Sequence, residues 1–258
     1  MPAPSGRDSA ADSRPGKRSA GLRIVGDLSD DDLMTSVNLE SARRPPLRVA
    51  AIGGLTFSVL FVAHHLLQGT GPDSSSTEAV AAYNVAHRGP LLASEVAIGL
   101  ALLAFIAFLA PLTAVSWRSG QESLAVAVLV AGAVFLAMGF LSTAAETALV
   151  GVADSNEPAA VDVLNQLQGR TPVVWTVTAL ATTISLTILR TGLLWRWLGI
   201  TGLVLAAIFL LASISSLIGR SVEGGYSLIG VGIFIVWMLV LSGGLWRTAS
   251  GHGTPPRP

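Results

Sequence analysis

Six stretches of the chain, residues 49–67, 91–115, 124–152, 173–189, 198–218 and 226–246, are apolar on every side rather than along one stripe. A hydrocarbon core about 30 Å thick needs about 20 such residues at the helical rise of about 1.5 Å per residue, and each stretch is of that order. None alternates with a period of two. In lipid the backbone must satisfy its own hydrogen bonds, so continuous runs of this length predict helices rather than barrel strands. The expected fold class is all-α, a polytopic transmembrane bundle of about six helices. The third run is long enough to require tilt or a protruding end, and the fourth is short unless Arg190 snorkels to the headgroups.

Outside these runs the pattern changes. Residues 1–47 are rich in Ser, Pro, Gly, Asp and Arg and too poor in apolar residues to form a core, which predicts a disordered tail, with a second short tail at 249–258. Within the first tail, SDDDLMTSVNLE offers Ser29 as a helix cap with Asp30, Asp31 and Asp32 in the first turn, and ARRPP at 42–46 is expected to end that helix. A cleavable signal is not expected, because the first apolar run begins only at Val49. Two loops carry helix signals. SSTEAVAAYNVAHR pairs Ser75 with Glu78 as a capping box and sets Val80, Tyr83 and His87 on one side; NEPAAVDVLNQLQ offers Asn156 as a cap, Pro158 in the first turn, and Val161, Leu164 and Leu167 along one side. Both segments are expected to lie on the outer interface as a roof over the bundle.

Apolar residues make up 51% of the chain and charged residues 12%, and the charges lie largely outside the six runs, which agrees with a membrane protein. Equal numbers of acidic and basic residues hide an asymmetry. With the N-terminus inside, Arg43, Arg44, Arg48, Arg118, Arg190, Arg196 and Arg247 fall on the cytoplasmic side, and only Arg88, Arg170 and Arg220 fall outside. Trp117, Trp195, Trp197 and Trp246 then align at the inner interface, where indoles favour the headgroup level. Both termini are therefore expected in the cytoplasm, in a bacterial plasma membrane. The chain has no cysteine, which removes thiolate metal sites and redox pairs.

Orientation converts position into depth. His64 and His65 lie near the outer end of the first helix, Glu95 a little over one turn below the same surface, and Glu146 at a similar level on the third helix. Adjacent histidines point about 100° apart, so both do not enter one site easily. His65 shares a face with Gly54, Ser58 and Phe61, while His64 aligns with Gly53, Phe57 and Leu60. Small residues mark close helix approach, and Glu95 stacks above Gly99 while Glu146 follows Gly139, Ser142 and Thr143. The expected inward layer is His65, Glu95 and Glu146 with Ser142 and Thr143, joined by hydroxyls from Thr178, Thr182, Ser185, Ser213 and Ser216. Such a layer serves either as an interhelical polar clamp or as a site for an ion or a small polar ligand, because an unpaired carboxylate in the membrane costs about 2.5 to 3.5 kcal/mol.

Sharper chemistry lacks the residues it needs. There is no HExxH zinc pair, no Gly-rich phosphate loop, no nucleophile elbow and no basic helix for nucleic acid. The default reading is non-enzymatic. At the inner turn, Arg190 and Arg196 stand beside Trp195 and Trp197; this predicts an interfacial anchor, with recognition of an anionic lipid headgroup as the sharper alternative.

Three segments, AAYNVAHRGPLL at 81–92, LRTGLLWRWLGITGLVLA at 189–206 and WMLVLSGGLWR at 237–247, resemble an uncharacterised family of six-helix membrane proteins of actinobacteria. That family typically has proline where this chain has Trp195. The resemblance covers about residues 48–248 and implies a fold and a bacterial inner membrane, without an activity.

Overall fold

The computed structural model describes residues 30–72, 76–155, 157–170, 173–217 and 225–251, with side chains in the first helix described from Pro46 onward. All regular structure among the described residues is helical: α1 (Asp30–Gln68), α2 (Thr77–Ala86), α3 (Arg88–Arg118), α4 (Glu122–Val152), α5 (Pro158–Arg170), α6 (Val173–Thr191), α7 (Arg196–Leu217) and α8 (Gly225–Ala249). Six spans in these helices are long and apolar enough to cross a bilayer, and the protein is a multi-pass α-helical membrane protein. The chain divides into two units, Met1–Leu39 and Glu40–Pro258; of the first, helical backbone is described from Asp30.

The helix break expected at ARRPP does not occur, since helical backbone runs through Pro45 and Pro46 to the end of the first span. A proline's fixed φ is itself helical, and the restriction on the preceding residue is a bias against helix rather than a prohibition. The caps expected at Ser29, Ser75 and Asn156 lie outside the described residues. The observed cap of α2 is Ser76, whose Oγ accepts from the Ala79 amide at 3.2 Å. The turn between α3 and α4 is closed by Gly120 at φ 71°. Its amide donates to the Trp117 carbonyl at 3.1 Å, and the Gln121 amide donates to the Ser116 carbonyl at 3.0 Å. This paired closure satisfies helix-end carbonyls and requires a left-handed residue, which glycine supplies without strain.

Packing centres on Phe57, fully buried on α1, whose ring meets Phe105 of α3 at 4.9 Å, Phe234 of α8 at 6.3 Å and Phe135 of α4 at 6.4 Å. Small residues let the helices close around it. A Cβ on Gly53 would stand 2.7 Å from the Ala104 carbonyl oxygen and the Phe108 amide nitrogen, so α1 rides directly on the α3 backbone. On α4, Gly132 and Gly139 receive Leu109 and Leu102 of α3; on α7, Gly199 receives Leu189 of α6. Large apolar side chains such as Leu103, Leu129, Ile200, Val204 and Val236 stay more than half exposed on the outside of the bundle, which is the face lipid covers.

At one end α2 and α5 pack on each other and on α4, burying Val80 and Val161 against Leu149. These two helices, expected as a roof, are called the roof. Its apolar faces are narrower than the sequence implies: His87 and Leu167 are exposed, and Asn84 is buried, donating to the Val80 carbonyl at 2.8 Å.

Candidate functional site

Beneath the roof, polar side chains from three spans meet at one level. Glu95 of α3 and Glu146 of α4 are each only 6% exposed, and the Glu95 carboxyl lies beside the Glu146 carboxyl and the Thr143 hydroxyl. One oxygen of Glu146 accepts from Gln68 Nε2 of α1 at 2.6 Å. The Gln68 carbonyl in turn accepts from the Tyr83 hydroxyl of α2 at 2.6 Å, which ties the roof to the layer. His65 is half-buried, in edge contact with Phe61 at 4.8 Å and within electrostatic reach of Glu146.

The structure thus brings His65, Glu95, Glu146 and Thr143 together. Ser142 is half-buried with no hydrogen bond among the described residues. The described hydroxyls expected from α6 and α7 bond within their own helices or pack elsewhere. Thr178, Thr182 and Ser213 donate to carbonyls of their own helices, at 3.0, 2.8 and 2.8 Å, and buried Ser185 sits against Gly202 near Trp237; the Ser216 side chain lies outside the described residues. Back-bonding four residues upstream satisfies a hydroxyl in lipid without any partner helix.

Two members were not expected. His64 is 8% exposed, and its Nδ1 lies 3.1 Å from the Ser94 carbonyl oxygen of α3, a direct bond across the α1–α3 seam. The signal was present in the sequence, since His64 lies on the same helical line as Gly53 and Phe57, both of which pack directly on α3. Gln68 is the other. It stands one turn beyond His64, just past the end of the apolar run at Leu67.

Two buried atoms in the layer lack hydrogen bonds, Nε2 of His65 and Oε2 of Glu95. Ser94 Oγ reaches the other Glu95 oxygen at 3.5 Å while donating to the Leu91 carbonyl at 2.7 Å. Among the described residues no three His, Asp or Glu side chains form a set that could hold a metal ion. Arg88, the nearest arginine in sequence, is engaged on the surface with Asp154 at 3.2 Å, where both are more than half exposed. Such an exposed pair contributes about 1 kcal/mol at most.

At the opposite end the α6–α7 connection turns at Gly192, φ 61°, and buries Leu194 beneath Gly244 of α8. Arg190 and Arg196 are exposed, and the indoles of Trp195 and Trp197 stack with centroids 6.4 Å apart. Trp117 and Arg118 at the end of α3, and Trp246 and Arg247 at the end of α8, belong to the same end of the bundle and are also exposed.

No family model, curated protein or solved structure matches the chain.

Proposed function

We propose that the His/Glu layer is structural, an interhelical clamp that fixes the register of α1, α3 and α4 under the roof. The Gln68–Glu146 bond at 2.6 Å carries this reading, because it joins the first and third spans and supplies a donor to a carboxyl that lipid could not solvate. His64 on Ser94 and Tyr83 on Gln68 serve the same purpose. Gln68→Leu is therefore expected to destabilise the protein by about 1 kcal/mol, read from thermal unfolding in detergent. Unchanged stability would refute the clamp.

A second reading, a small transporter or ion-binding membrane protein that uses the same layer, is favoured by the two buried atoms without partners.

The surrounding membrane is a bacterial plasma membrane in this proposal, with both termini cytoplasmic and the roof outside. The exposed Arg and Trp side chains gathered at one end support that orientation. A reporter active only in the cytoplasm is expected to work when fused after Arg247 and to fail at Asn165, and the reverse pattern would invert every depth assigned above. The resemblance of residues 48–248 to a six-helix actinobacterial family fits this placement. The Arg190, Arg196, Trp195 and Trp197 turn is proposed to anchor the bundle and to hold an anionic lipid phosphate. Replacing both arginines with Gln should reduce retention of anionic over zwitterionic lipid in native mass spectrometry; equal retention would leave anchoring alone.

A further inference from the structure

Glu95 and Glu146 present a specific problem of charge. Both are buried, the two carboxyls are neighbours, and among the described residues neither has an arginine or lysine partner. The groups facing them are His64 and His65 from α1, Tyr83 from α2 by way of Gln68, and the hydroxyls of Ser94 and Thr143. Along residues 173–189, α6 offers no ionisable side chain. Two ionised carboxylates side by side in an apolar layer repel each other without compensation, and Glu95 Oε2 has no donor. One proton answers both needs, since it removes a charge and creates an O–H donor between the carboxyls.

We propose that the Glu95–Glu146 pair is a proton-binding site, holding a single shared proton at neutral pH and exchanging it with the roofed side through His65. The proposal rests on the clamp reading, to which it adds the proton as the element that joins α3 to α4. His65 suits the exchange role: its buried Nε2 has no bond to give up, and its partly exposed ring lies within electrostatic reach of Glu146 near the end of α1. In each transfer His65 Nε2 takes the proton from a carboxyl oxygen, leaving a carboxylate and an imidazolium, and the imidazolium gives up its Nδ1 proton to water; the reverse steps return a proton to the carboxyl pair. No other reactant is required.

Infrared spectroscopy of the full chain in lipid nanodiscs tests the site. A carbonyl stretch of a protonated carboxylic acid is expected at neutral pH, shifting to lower frequency in heavy water and absent from both Glu95→Gln and Glu146→Gln. His65→Ala should keep the band and slow its deuterium shift at least several-fold. Absence of the band in the parent protein, or its persistence in both glutamine variants, would overturn the proposal; unchanged exchange in His65→Ala would overturn the route. Loss of the band on adding sodium or zinc at fixed pH would also overturn it, by identifying a metal cation as the occupant. Should one glutamine variant fail to fold, the parent band and the other variant still decide the matter. A clamp that fails instead shows as unchanged stability in Gln68→Leu with the band intact, so the two readings fail separately.

Discussion

Gly53→Ala will lower the stability of the protein by about 1 to 3 kcal/mol, while Gly99→Ala will leave it unchanged or raise it by up to about 1 kcal/mol. The new Cβ at position 53 would meet a carbonyl oxygen and an amide nitrogen of α3 at 2.7 Å, and backbone atoms cannot rotate away as a side chain can. Either α1 moves outward or α3 bends, and both loosen the ring cluster around Phe57 immediately above. At Gly99 the same atom meets nothing within 4 Å, so only the gain in helix propensity remains. Thermal unfolding of the two variants in one detergent checks the contrast. Equal losses would show that α1 does not close on α3 at Gly53.

These two glycines also show where sequence patterning succeeds and where it stops. Depth was legible: hydropathy set the spans, and the positions of Glu95 and Glu146 along oppositely running helices placed them at one level, where they meet. Facing was less so. A small residue marks a helix side that can approach a neighbour, but the sequence does not say which neighbour arrives. Gly99 suggests the inward face of Glu95, and Glu95 is indeed buried, yet among the described residues nothing from another helix lies within 4 Å of where a Gly99 Cβ would stand. Gly53 and Gly54 both permit contact; the first lies on the α3 backbone and the second against Ser242 of α8 and Phe108 of α3. Choosing between the faces of the two histidines required the packing partners.

The partners that were missed share a physical cause. Gln68 is polar and lies at the end of its span, so hydropathy treats it as the start of a loop, although it supplies the bond that Glu146 requires. The hydroxyls of Thr178 and Thr182 illustrate the complementary effect: a threonine in a transmembrane helix can satisfy its hydroxyl on its own backbone and needs no partner helix. The observed cap of α2, Ser76, stands one residue beyond the Ser75 that the capping-box spacing favours, and adjacent serines offer nearly the same chemistry.

The histidines therefore exchange the weights that their helical faces first suggest, and His64→Ala is expected to cost about 2 kcal/mol against less than about 1 kcal/mol for His65→Ala. His64 is 8% exposed in the seam between α1 and α3, so its removal deletes the bond to the Ser94 carbonyl and opens a cavity against a helix held close by Gly53. The bond accounts for about half of that loss and the cavity for the rest. His65 is only half-buried, and its Nε2 has no hydrogen bond to lose, so truncation removes its edge contact with Phe61 and a side-chain interaction with Gln68 near the end of the helix. His64→Asn can restore a donor toward Ser94 and should recover part of the loss, whereas His64→Phe fills the space without the bond and should recover a different part. Unfolding midpoints for the four variants in one detergent separate the two contributions, and a larger loss for His65→Ala than for His64→Ala would return the clamp to the face that carries His65.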